Sequence, residues 1–94
     1  MPESEPVPAP GGQLEFEAAR DAVLAVLALY AEQIDSEERR LHPDDALLAH
    51  LVQERIAYGA VLRVLQTTDA AGIARIAKAA RTDLTRLEKD GPGR

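Results

Sequence analysis

His50 and Glu54 stand four residues apart, a spacing that sets an imidazole and a carboxylate on one face of a helix, within reach of a shared metal ion. The pattern goes no further. The i, i+3 Glu-His pairs that hold two metal ions inside helical bundles are missing, and His42 has no carboxylate or second histidine at ligand spacing. The chain has no cysteine, which removes thiolate nucleophiles, Cys-based zinc sites and disulfides together. Its two serines, Ser4 and Ser36, lie in a proline-rich stretch and amid charges, without a base partner, and there is no glycine-rich phosphate loop. The expectation is no catalytic residue, no metal and no cofactor: the chain does not read as an enzyme.

Two other sets of residues suggest binding instead. Leu14, Ala18, Ala22, Ala25 and Leu29 recur at spacings of 4, 4, 3 and 4, which forms one stripe along a helix. This stripe lies opposite a broader apolar face on the same segment, and a helix in a three-helix monomer needs only one such face. It is expected to pair with a second copy or with a partner helix. Arg75, Lys78, Arg81, Arg86 and Lys89, with Thr82 and Thr85 between them, fill one side of a later segment. Such a basic face suits phosphates, an acidic protein surface or the acidic first helix of another copy, or it is simply solvated.

Three helices position these residues. The first is predicted over 14–40, where Phe16, Val23, Leu27, Tyr30, Ile34 and Leu41 fall within about 40° of one line on a helical wheel. Pro43 ends that pattern and is predicted to open the second helix, over 43–66, with Asp44 and Asp45 at the positive end of its dipole. Its apolar sector gathers Leu47, Leu48, Leu51, Tyr58, Leu62 and Leu65, and Gly59 within it predicts close backbone approach. Glu54 and Arg55 sit in or at the edge of that sector. A buried ion pair there would hint at a site, whereas Arg55 laying its stem over the core is the plainer outcome. The third helix, over 70–89, follows a Thr67-Thr68-Asp69 cap and carries the stripe Ile73, Ile76, Ala77, Ala80, Leu84, Leu87. Short connections predict an all-α, up-down-up three-helix bundle, expected to be dimeric.

Residues 73–89 also bear a resemblance to helix-turn-helix DNA-binding proteins. Ile73-Ala74-Arg75-Ile76-Ala77-Lys78-Ala79-Ala80 looks like the first helix of that motif, with the signature I-x-x-I-A-x-A-A. The resemblance implies that Asp83 caps a recognition helix, that Leu87 points inward, and that Thr85, Arg86 and Lys89 face the major groove. The sequence departs from the pattern at Arg81, where the turn has Gly, and at Thr82 and Asp90, where apolar residues are usual. A single unbroken helix is the competing expectation, since the apolar stripe continues through Leu84 and Leu87. In size and helix content the chain is also similar to the small three-helix chorismate mutases. That family holds a dicarboxylate with several cations inside the bundle, and here only Arg55 approaches such a position.

Composition agrees with helix: alanine occurs 17 times and asparagine and tryptophan never. Residues 1–13 hold four prolines and two glycines and are expected to form a flexible tail; residues 90–94 should be a loose end. The net charge of −5 conceals an asymmetry. Residues 1–47 carry three cations and eleven anions, whereas residues 48–94 carry eight cations and five anions. An acidic front and a basic back favour association with copies or with polarised protein partners over nonspecific nucleic-acid binding. The longest apolar run, Ala22 to Ala31, is too short to span a bilayer, and no signal-peptide pattern opens the chain, so a cytoplasmic location without membrane contact is expected. The resulting expectation is an interaction or regulatory module, an adaptor or antitoxin-like subunit. The alternative is a small helix-turn-helix regulator.

Overall fold

A computed structural model describes residues 10–89, with side chains from Gln13 onward. The expected tail up to residue 9 and the expected loose end over 90–94 lie outside the described residues. Those described are all-helical: α1 (Pro10–Glu38), α2 (Asp45–Val64), a 3₁₀ turn (Leu65–Thr67) and α3 (Ala70–Lys89). None of these helices is long and apolar enough to cross a membrane.

α1 begins four residues before the predicted start. Proline is suited to a first helical turn, where its missing N–H costs nothing, so Pro10 opens the helix rather than ending a tail. Gln13 is already helical and donates to Glu17 Oε2 at 3.3 Å. α1 also stops two residues early, at Glu38. The last turn is held by Arg39 N–H to Asp35 O and Arg40 N–H to Glu37 O, both at 3.2 Å. Arg39 and Arg40 then pair with Asp35 and Glu37 at 3.1 and 3.7 Å, placing cations at the negative end of the helix dipole. Leu41 lies beyond the helix end, 89% exposed, so it does not extend the apolar face as the wheel predicted.

Pro43 does not enter α2. Asp44 is the N-cap, in extended conformation, and its carboxylate accepts from Leu47 N–H at 3.0 Å. An aspartate satisfies an orphan N–H in that position, which a proline cannot do, so the helix starts after it. The N–H of Asp44 donates in turn to Glu37 Oε2 at 2.7 Å. Glu37 is the buried carboxylate among the described residues and ties the last turn of α1 to the first of α2. α3 has the predicted bounds, with Asp69 Oδ1 accepting from Gly72 N–H at 2.8 Å as its cap.

The three helices run up, down and up. Near the turn between α2 and α3, Ala19 meets Leu65 and Ala77, with Phe16, Ile73 and Ile76 packed around them. Farther along, Ala22, Val23, Val26, Tyr30, Ile34, Leu51, Ala80 and Leu87 form the larger core. α1 is the central element. It packs against both α2 and α3, which meet each other far less extensively. The predicted stripe of α3 all turns inward, with Ala77, Ala80 and Leu87 buried and Ile73, Ile76 and Leu84 half-buried. Each fully buried Leu or Val stabilises the fold by about 1.5–3 kcal/mol through the apolar surface it removes from water.

The glycines of α2 and α3 contrast, and Gly59 differs from expectation. Gly59 has open space where a Cβ would stand, so no backbone approaches it. Gly72 is the crowded one: a Cβ there would meet Thr68 Cγ2 at 2.5 Å and Asp69 Oδ1 at 3.0 Å. The Asp69 carboxylate must curl over the first turn of α3 to cap it, and a side chain at Gly72 would occupy that space.

Candidate functional site

One polar cluster joins all three helices. The Tyr58 hydroxyl on α2 donates a short hydrogen bond to Asp83 Oδ2 on α3. Arg86, one helical turn after Asp83, donates to Asp83 Oδ1 at 3.3 Å and to the Tyr30 hydroxyl on α1 at 3.4 Å. The rings of Tyr30 and Tyr58 lie 6.3 Å apart, tilted by 39°, within the range of favourable aromatic contact. Burial pushes the Tyr58 phenol well above its ordinary range, and the bond to the Asp83 carboxylate adds to the shift. The hydrogen bond to Tyr30 raises Arg86 as well, and Asp83 acts in the same direction. A phenol held protonated and a guanidinium held charged form a fixed donor–acceptor chain. Its chemistry is that of a clasp between helices.

This cluster changes the reading of the third helix. α3 runs unbroken through Arg81, Thr82 and Asp83, so the bend that a helix-turn-helix requires is not formed. Asp83 caps nothing; it sits mid-helix and accepts from Tyr58 and Arg86. Arg86 is drawn sideways onto Tyr30 and Asp83. Arg75, Lys78, Arg81 and Lys89 do lie on the exposed side of α3. A basic face is present, and Arg86, itself about half exposed, links its edge to the cluster.

The small-residue stripe of α1 divides. Leu14 is 65% exposed and Ala18 is exposed, but Ala22 is buried in the larger core and Leu29 packs against that core. Ala25 is half-buried. The physical reason is the central position of α1. A helix flanked by two others in the same chain can use two apolar sectors, and Ala22 and Leu29 of the second sector join the core of this chain. Arg55 is exposed and Glu54 half-buried, with no ion pair between them, so α2 places no cation inside the bundle. Among the described residues no group of His, Asp and Glu is arranged to hold a metal ion, and His42 and His50 are both exposed.

An open groove lies elsewhere, between α1 and the end of α2. Phe16, Arg20 and Leu24 line one wall at successive four-residue steps, and Leu62, Arg63, Leu65 and Gln66 line the other. Its volume is ≈ 350 Å³, and no residue of α3 contributes. Leu24 is 44% exposed at its rim, and Leu65 is fully buried at its floor. Sequence reasoning placed Phe16, Leu62 and Leu65 on the apolar faces and gave Arg20 and Arg63 no role. The available signal was that Arg20 is the one cation within α1.

No family model, curated protein or solved structure matches this chain.

Proposed function

We propose that the chain is a non-enzymatic protein–protein interaction module that receives a helix of another protein in the groove between α1 and α2. One observation carries this reading: Leu24 and the flank of Leu62 are left uncovered along two antiparallel helices, in the place where a fourth helix would complete a bundle. The wall from Phe16 to Leu24 covers about 12 Å of helix axis, enough for two turns of a docked helix with apolar residues at i, i+3 or i+4, and i+7. The polar cluster supports the same reading, since its donors and acceptors are committed to joining the three helices.

Self-association is a second reading, favoured by the exposure of Leu14 and Ala18 near the start of α1. It has less to work with than the sequence suggested, because Ala22 and Leu29 are used within the chain. The acidic residues Asp21 and Glu32 on the exposed side would also repel a second α1.

The test is binding of an uncharged amphipathic helical peptide (Leu, Ala and Gln) followed by fluorescence anisotropy. Wild type should bind, and Leu24→Glu should bind at least about tenfold more weakly while keeping its helicity. Unchanged affinity in that variant would remove the groove from the reading. Sedimentation of wild type at high micromolar concentration tests the second reading: a monomer there ends it.

A further inference from the structure

We infer that the α1–α2 groove selects an acidic amphipathic helix, with the partner's apolar residues on Phe16, Leu24 and Leu62 and its carboxylates on Arg20 and Arg63. This rests on the groove being a docking site for a helix, and it adds the sign of the partner's charge. The chain carries a net charge of −5, yet the groove lining contains two arginines and no carboxylate. α1 is acidic along its exposed side, and its one cation stands on this wall. α2 has two cations, Arg55 and Arg63, and the second stands on the opposite wall. The cations therefore flank an apolar floor from both sides, which matches a helix with an apolar stripe bordered by Asp or Glu.

Neither arginine is strongly engaged. Arg20 reaches Asp21 at 3.7 Å, with both side chains largely exposed, an arrangement that contributes little in water. Arg63 makes no hydrogen bond or ion pair among the described residues. Planar guanidinium groups suit bidentate contact with carboxylates, so both are available for a partner's acidic side chains. Glu17 and Asp21 next to Arg20 repel a partner carboxylate that slides along α1. Charge thus fixes register as well as sign.

Three helical peptides of about four turns test the inference, sharing one Leu/Ala stripe and carrying Glu, Gln or Lys at the flanking positions. Their binding to the full chain is measured at low and moderate salt. The expected order is Glu tightest and Lys weakest, separated by at least about tenfold at low salt and converging as salt rises. In Arg20→Glu/Arg63→Glu the order should reverse; both side chains are exposed, and circular dichroism checks that the fold is kept. Equal affinities, or a preference for Lys, would overturn the acidic inference and leave the groove reading standing. Failure of all three peptides to bind would remove the groove reading itself. A Glu preference that survives the double substitution would place the acidic site on the basic side of α3 and overturn the inference. So would a wild-type dimer that Leu24→Glu dissociates, since the occupant would then be a second copy.

Discussion

The two sides of α1 are built from similar residues and end differently. On the closed side, Ala22, Val26 and their neighbours share one buried cluster with Ala80 and Leu87 of α3, a seam in which small side chains take part. At the end of that seam, Tyr30, Tyr58, Asp83 and Arg86 connect the helices through hydrogen bonds. Toward the end of α2 the same helix presents Phe16, Arg20 and Leu24 to an open groove, and among the described residues no further helix covers its rim. The difference teaches that an extra apolar sector on a helix does not by itself announce a partner. Part of that sector, Ala22 and Leu29, is used inside the chain, and the groove lies where apolar residues are interrupted by cations.

The largest expected effect comes from truncating the closed side. Leu87→Ala, at a position 2% exposed, should lower stability by about 2–5 kcal/mol, because it removes buried surface and leaves a cavity. Leu24→Ala on the open side should change stability by less than about 0.5 kcal/mol. Urea unfolding of both variants checks the contrast. Equal costs would mean that the groove is part of the core and not a free surface.

A smaller effect is expected at the clasp. Tyr58→Phe deletes the donor to Asp83 and should cost about 1.5–3 kcal/mol near neutral pH, the usual range for a hydrogen bond to a charged group. The same residue sets an alkaline limit. Its folded-state pKa is raised above the ordinary 10.0, so the folded protein holds the phenolic proton more tightly than the unfolded chain does. That contribution is fully present below pH 10 and is lost as pH rises from there toward the folded value. Unfolding curves across alkaline pH should show a steeper decline for wild type than for Tyr58→Phe. Parallel declines would mean that the phenol titrates alike in both states.

The two glycines sharpen the comparison further. Gly72→Ala should destabilise by about 1 kcal/mol or more, because the new Cβ collides with Thr68 and the capping carboxylate of Asp69. Gly59→Ala should stabilise by about 0.5–1 kcal/mol, since it adds helix propensity where nothing stands nearby. Thermal unfolding that gives the same sign for both would contradict the packing described.

Much of the fold was legible because helical periodicity is local. The stripe Ile73 to Leu87 is regular, and its Asp69 cap fixes where α3 begins. The second sector on α1 was equally visible, but periodicity cannot say which molecule covers a face. That required knowing that α1 is flanked by both other helices. The boundary near Pro43 shifted because Asp44, an N-cap, competes better for that position than proline does for the first turn. Arg86 looked like one member of a basic row. Its role depends on Tyr30 and Tyr58, which lie far away in sequence and meet it only after folding. Glu37 illustrates the same limit, since its bond to the Asp44 amide depends on how the loop closes. The groove was not foreseen, although a lone arginine within an acidic helix could have drawn attention to Arg20.

The central claim is that the uncovered side of α1 and α2 receives a helix, and amide chemical shifts can locate that event directly. An acidic amphipathic peptide would be titrated into the isotope-labelled chain and the perturbed amides mapped. The account predicts changes centred on Phe16, Arg20, Leu24 and the stretch from Leu62 to Gln66, with α3 near Lys78 and Arg81 little affected. Perturbations confined to α3, or none at saturating peptide, would contradict it.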